Sequence, residues 1–193
     1  VTGRAQAVMV HVNVGLANTV MGVINAASDN IPMLVMSGRT PISERGRKGA
    51  RMTPIQYGQE MFDQTSLVRD LVKYNYEMRY PEQGKQLVTR AMSLATSEPQ
   101  GPVYLSLPKE PLSETVPQNT QPHHPMPPAA TKIVPDPAAI AQLARMLEAA
   151  SNPVIICQRG DSDGRLSEAL SALAATHGIA VFEPFVLRNV LAS

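Results

Sequence analysis

From Val1 to about Pro108, short apolar runs alternate with longer amphipathic segments. Ala7-Val8-Met9-Val10-His11-Val12 is nearly continuous in apolarity and rich in valine, the pattern of a strand covered on both faces. Leu16 to Ala27 follows at helical spacing, with Val20, Val23, Ile24 and Ala27 on one face. Pro32-Met33-Leu34-Val35-Met36 predicts a second strand, stopped by Ser37-Gly38. Residues 39–58, punctuated by Pro41, Gly46, Gly49, Pro54 and Gly58, read as a long irregular loop of the kind that carries function. A short helix around Thr65–Leu71 and a strand around Val72–Met78 come next. Pro81 then opens a helix over Glu82–Ser97, with Leu87, Ala91, Leu94 and Ala95 on one side, and Val103–Pro108 is a further strand. The alternation predicts an α/β fold, a parallel sheet flanked by helices.

Lys109 to Pro137 breaks the pattern: it is Pro-rich, poor in apolar residues and without a sustained period, and reads as an extended surface linker. The α/β pattern then resumes with a helix over Ala138–Ala149, a strand Pro153–Cys157, a helix Arg165–His177 and a strand Ile179–Phe182. Residues 1–108 are thus expected to form one domain, 109–137 a linker, and 138–193 the incomplete start of a second α/β domain. The chain opens at Val1 without an initiator Met or a signal peptide and stops as Phe185–Leu191 begins another segment. Both features predict a fragment of a longer protein, with exposed apolar surface along the cut edges and a tendency to associate.

Composition narrows the class. Of 193 residues, 44% are apolar and 17% charged, which excludes a disordered chain. A net charge of +1 leaves no footprint for nucleic acid or another polyanion. No apolar run approaches the roughly 20 residues that span a bilayer, so no membrane partner is expected. The single Cys157 permits no intramolecular disulfide and fits a reducing, cytoplasmic setting.

The first candidate for chemistry is the turn His11-Val12-Asn13-Val14-Gly15-Leu16-Ala17-Asn18. A strand that ends in a glycine turn and opens a helix aims backbone N–H groups outward, toward an anionic or polar ligand. It is neither a Gly-x-Gly-x-x-Gly fingerprint nor a Gly-Lys-Ser/Thr phosphate loop. On spacing alone, a tight β–α connection, with Asn18 near the helix start and a satisfied His11, is the plainer reading. Elsewhere the residues have plainer readings. His123-His124 sit among prolines with no ligand partner at metal spacing, and Glu44, Arg45, Arg47, Lys48 and Arg51 read as a solvated loop. Cys157 and Met9, Met21, Met33 and Met36 are expected in cores.

Taken in order, these pieces resemble the N-terminal pyrimidine-binding domain of thiamine-diphosphate-dependent enzymes, in the acetolactate synthase and benzoylformate decarboxylase group. The carriers are Gly15-Leu16-Ala17-Asn18, Gly22-Val23-Ile24-Asn25-Ala26, Ile31-Pro32 through Ser37-Gly38, Gln59-Glu60-Met61-Phe62-Asp63-Gln64, Val72-Lys73-Tyr74-Asn75-Tyr76 and Gly101-Pro102 through Pro108-Lys109. The part after the linker is similar to the start of that family's central domain.

The resemblance implies a 2-oxo acid decarboxylase or carboligase in which this chain binds the aminopyrimidine end of thiamine diphosphate. It puts Asn13, Val14, Gly15 and Asn18 on the turn facing the cofactor. His11 falls where the benzoylformate decarboxylase branch has an active-site histidine, and Gln59, or Gln64 in a shifted register, is the active-site glutamine. Asn13-Val14 stands where acetolactate synthases more often have Gly-Pro. The activating Glu of the family lies upstream of this strand, and the diphosphate and Mg²⁺ site lies on a separate C-terminal domain. The chain is therefore expected to hold no metal ligands and to be inactive alone. Gly160-Asp161-Ser162-Asp163-Gly164 does not stand in for the family's Gly-Asp-Gly motif. The resemblance further implies a homo-oligomer with its active site at a subunit interface, and leaves open whether the central domain holds a flavin or adenine nucleotide. Alternatives are a different substrate, such as an oxalyl or sulfoacetaldehyde compound, or a non-catalytic α/β binding module.

Overall fold

The computed structural model describes residues 4–116, 131, 133–160 and 164–184, without the side chains of Ile55 and Gln56. The described residues divide into two compact units, one within Arg4–Lys132 and one within Ile133–Ser193. His123-His124, residues 161–163 and the Phe185–Leu191 segment lie outside the described residues.

In the larger unit, β1 (Gln6–Val10), β2 (Met33–Arg39), β3 (Asn75–Glu77) and β4 (Pro102–Pro108) form one parallel sheet in the order β1-β2-β4-β3. β2 and β4 lie in the centre, with Val35 opposite Tyr104 and Ser37 opposite Ser106. Side chains on a strand alternate between faces, and here each face builds its own core. Leu34, Val103 and Leu105 pack with Leu87, Ala91 and Ala95 of helix α3 (Gly84–Thr96) and with Met78. Val35 and Tyr104 pack on the other side with Leu16 and Val23 of helix α1 (Val12–Ser28) and with Val68. Each fully buried aliphatic side chain stabilises the unit by roughly 1.5–3 kcal/mol. Leu105→Ala, at a position with no exposure, would cost about 2–5 kcal/mol through the cavity left behind.

Of the irregular loop expected over residues 39–58, Arg39 ends β2 and residues 54–58 belong to the short helix α2 (Pro54–Gln59), started by Pro54 at the first helical position. The stretch between them is irregular but tied down. Ser43 donates its backbone N–H and its hydroxyl to Glu110 Oε1, both at 2.8 Å. Gly49 turns at φ +89°, where an added Cβ would meet Ser113 Oγ at 2.8 Å and the Lys109 carbonyl oxygen at 3.0 Å. Both partners belong to helix α4 (Lys109–Ser113), which occupies the first five residues of the expected linker. Those residues are helical rather than extended because the buried Glu110 anchors them to the loop.

Helix α1 ends as its sequence allows. Asn30 adopts φ +52°, its N–H bonds the Ala27 carbonyl at 3.2 Å, and the Ile31 N–H bonds Ala26 at 2.8 Å. That is the paired bonding of a left-handed helix terminus, which Asn tolerates. It aims the chain into β2, and Asn30 Nδ2 also donates to the Gln100 carbonyl ahead of β4 at 3.0 Å.

Three expectations need correction. β1 is not covered on both faces: it is the sheet's edge, and Val8 and Met9 are 37% and 61% exposed. Met9 and Met21 are exposed rather than core residues, and Ile24 turns outward because the buried stripe of α1 runs through Val12, Leu16, Val23 and Ala26. The helix expected over Thr65–Leu71 is two short 3₁₀ turns, Gln64–Leu67 and Arg69–Leu71.

The second unit contains helices α5 (Pro137–Ala149) and α6 (Arg165–His177) and strands β5 (Val154–Ile156) and β6 (Ala180–Phe182), paired in parallel. Asp136 caps α5 by accepting from the Ala138 N–H at 2.9 Å, with Pro137 at the first helical position. Ile140, Leu143, Met146, Ile156 and Phe182 are exposed, and Cys157 is half-buried rather than a core residue.

Candidate active site

In open α/β sheets, ligands bind beyond the carboxyl ends of the strands. His11 follows β1 directly, Arg39 ends β2 and is followed by Thr40, and Glu77 ends β3. Helix α2 lies against α1 and brings Gln59 into the same neighbourhood.

His11 is the residue before α1 and is exposed, and its carbonyl accepts the first helical bond from the Gly15 N–H at 2.7 Å. Val12 then sits at φ +38°, a left-handed conformation that β-branched residues rarely adopt. Its side chain is buried, and that packing holds the strained backbone in place. Asn13 accepts from the Val14 N–H at 2.8 Å, while Val14 is 58% exposed and Asn18, one turn further along, is exposed. Gly15 plays a packing role: its Cβ direction points at Val10, 3.1 Å from that residue's Cβ. No acidic residue lies in the first turn of α1.

The two candidate glutamines separate clearly. Gln59 Nε2 lies 3.4 Å from His11 Nε2. Gln64 is 1% exposed and belongs to a buried polar cluster between β2 and β4. Its Nε2 donates to Ser37 Oγ at 2.8 Å and to the Gly38 carbonyl at 2.9 Å, and lies 3.2 Å from the Tyr104 hydroxyl. Ser37 and Tyr104 bond each other at 2.7 Å. The Gly38 carbonyl requires a donor, which fixes the orientation of the Gln64 amide. Gln59 thus lies beside His11, and Gln64 lies in the buried cluster with Ser37 and Tyr104.

Charge at this edge is concentrated in a cluster that sequence inspection passed over. Arg39 donates to Glu60 Oε1 from Nη2 at 2.5 Å and from Nε at 3.1 Å, and to the Met61 carbonyl at 3.1 Å. Its Nη1 donates to Glu77 Oε2 at 2.7 Å, and Ser106 adds a hydrogen bond to the same oxygen at 3.0 Å. Thr40 Oγ1 donates to Glu60 Oε2. Burial disfavours the charged guanidinium, but the bonds to Glu60 and Glu77 outweigh it and hold its pKa above the ordinary arginine value. The signal available in the sequence was a lone arginine closing an apolar strand. Among the described residues, no cluster of three or more His, Cys, Asp or Glu side chains is arranged to hold a metal, and no helix is long and apolar enough to cross a membrane.

Comparison with known proteins bears on the same region. Residues 1–67 match the family described as thiamine pyrophosphate enzyme, N-terminal TPP binding domain. The acetolactate synthase large subunit of Lactococcus lactis is 30% identical over 112 residues, 56% of this chain and 17% of that protein. Benzoylformate decarboxylase of Pseudomonas aeruginosa is 26% identical over 170 residues, 88% of this chain and 30% of that protein. The chain thus spans less than a third of the length of these relatives. The solved thiamine diphosphate-dependent 4-hydroxybenzoylformate decarboxylase of Rhodococcus jostii RHA1 superposes with a TM-score of 0.71 at 23% identity, covering 94% of this chain and 33% of that one. That likeness establishes the fold, a parallel sheet flanked by helices. Residues 1–67 are thus similar to the N-terminal TPP binding domain of thiamine pyrophosphate enzymes, with acetolactate synthase and benzoylformate decarboxylase among the proteins the chain resembles.

Proposed function

We propose that this chain supplies the pyrimidine-binding face of a thiamine-diphosphate-dependent enzyme that decarboxylates, or decarboxylates and ligates, a 2-oxo acid. The observation that carries the reading is the meeting of His11 and Gln59 at the carboxyl edge of the sheet, within the residues that match the family. The donor set suits an aminopyrimidine. Val14 offers an exposed apolar contact for a ring, and Asn13 and Asn18 offer amides beside it. When bound, the cofactor supplies the electron sink that loss of carbon dioxide requires. His11, exposed at the carboxyl edge of the sheet, would give or take a proton in the reaction, as imidazoles do in general acid–base catalysis. Gln59 holds the imidazole's orientation through its amide.

Between the two branches, His11 and the Asn13-Val14 pair favour a benzoylformate decarboxylase-like reaction over acetolactate synthesis. The diphosphate and Mg²⁺ would be held by a C-terminal domain, and the whole enzyme would be a homo-oligomer with its site between subunits.

The test is carbon dioxide release by the full-length protein supplied with thiamine diphosphate, Mg²⁺ and a panel of 2-oxo acids including benzoylformate and pyruvate. Turnover of an aromatic 2-oxo acid is expected, falling about 100- to 10,000-fold in His11→Ala. Absence of turnover with every 2-oxo acid, together with no binding of thiamine diphosphate, would overturn the reading in favour of a non-catalytic module.

A further inference from the structure

We infer that Arg39 is a positioning residue for Gln59, acting through Glu60; the inference rests on the reading of His11 and Gln59 as an active-site pair. Helix α2 has six residues, no side-chain cap and an extended residue, Glu60, at its end. A helix that short has no stability of its own, so the placement of its last residue, Gln59, must come from elsewhere. Glu60 supplies it. One carboxylate oxygen takes two hydrogen bonds from Arg39, the other is taken by Thr40, and Arg39 also holds the Met61 carbonyl. The residues immediately after Gln59 are thus fastened to the end of β2 at two consecutive positions.

Arg39 is itself fixed from the opposite side. Glu77 of β3 grips its Nη1, and Ser106 of β4 bonds the same carboxylate oxygen of Glu77. Three strands therefore aim the guanidinium, whose side chain is only 17% exposed. His11 follows the neighbouring strand, where Val10 pairs with Ser37, two residues before Arg39. Gln59 consequently spans two points of one rigid sheet, its amide at His11 and its following residue at Arg39. A planar fork with several donors is needed for this arrangement, because a lysine ammonium could not reach Glu60, Glu77 and the Met61 carbonyl together.

The test uses the full-length protein with its histidines ¹³C-labelled, the His11 resonance being assigned by its loss in His11→Ala. Gln59→Ala is expected to shift the His11 signal in the cofactor-free protein. Arg39→Met and, separately, Glu60→Ala should shift it the same way, and Arg39→Met should add nothing to Gln59→Ala. Glu60→Ala keeps the Arg39–Glu77 pair and guards against a failure of Arg39→Met to fold. In the loaded enzyme the same variants should lower kcat about 10- to 100-fold with KM within about twofold, the pattern of a misplaced group, and Arg39→Lys should not restore it. If Gln59→Ala moves His11 while Arg39→Met and Glu60→Ala do not, the positioning role is wrong and the active-site reading stands. If Gln59→Ala changes neither the His11 signal nor turnover, the pair itself is wrong and the inference falls with it.

Discussion

Gly15 packs so closely on Val10 that a methyl group in place of its hydrogen would lie 3.1 Å from the Val10 Cβ and 3.3 Å from its carbonyl carbon. Both atoms belong to the strand rather than to the tip of a flexible side chain. Helix α1 can therefore yield only by moving away from β1, and His11 and Asn13 would move with it. Gly15→Ala is expected to destabilise by about 1–3 kcal/mol, although alanine is intrinsically the better helix former by about 1 kcal/mol. Gly22, in the same helix, has nothing within 4 Å of its Cβ direction. Gly22→Ala is expected to stabilise by roughly 0.5–1 kcal/mol. Urea unfolding followed by circular dichroism checks the pair, and shifts of the same sign would contradict this account.

The Ser37–Gln64–Tyr104 cluster should respond as a unit. Tyr104→Phe leaves Ser37 Oγ its bond from Gln64 and should cost about 1 kcal/mol. Gln64→Leu removes the donor to Ser37 and to the Gly38 carbonyl, and should cost about 2–3 kcal/mol. The double variant should lose less than the sum, because both changes dismantle one network. Additive losses in urea unfolding would show that the hydroxyl and the amide act independently.

Glu110 makes the loop anchor sensitive to acid. Burial alone would raise its pKa, but the Ser43 N–H and hydroxyl outweigh that and hold it below the ordinary value near 4.5. A carboxylate whose pKa is lower folded than unfolded adds stability that is complete above the unfolded value and is lost as pH falls through the folded one. Glu110→Gln should therefore cost about 1–2 kcal/mol at pH 7 and progressively less below about pH 4.5. The difference between the two proteins, measured by urea unfolding from pH 7 down to pH 3, isolates this group from other carboxylates. A difference that stays constant, or grows, on acidification would be the wrong sign.

Local periodicity carried most of the fold. Arg165–His177 is read to the residue because Gly164 and Gly178 bracket it, and both adopt positive φ. Leu87, Ala91 and Ala95 recur at helical spacing and line the core of α3. What periodicity cannot carry is neighbourhood. Val8 and Met9 look like core residues because an apolar run does not say whether its strand is central or at an edge. In the candidate site, His11 and Asn18 stood on a turn that a local pattern reveals. Gln59 and Gln64 are five residues apart in one stretch and were indistinguishable. Only the register of β2 against β4 shows that Ser37 and Tyr104 leave a place for Gln64. Arg39, Glu60 and Glu77 escaped for the same reason: their meeting comes from three different elements.

If residues 11–18 face the cofactor, binding should shield them. Amide hydrogen exchange of the full-length protein, with and without thiamine diphosphate and Mg²⁺, reads that shielding. Slower exchange on cofactor addition is expected in peptides covering His11–Asn18 and Tyr57–Met61, with little change across α3. Cofactor binding that leaves both segments unprotected would contradict the account.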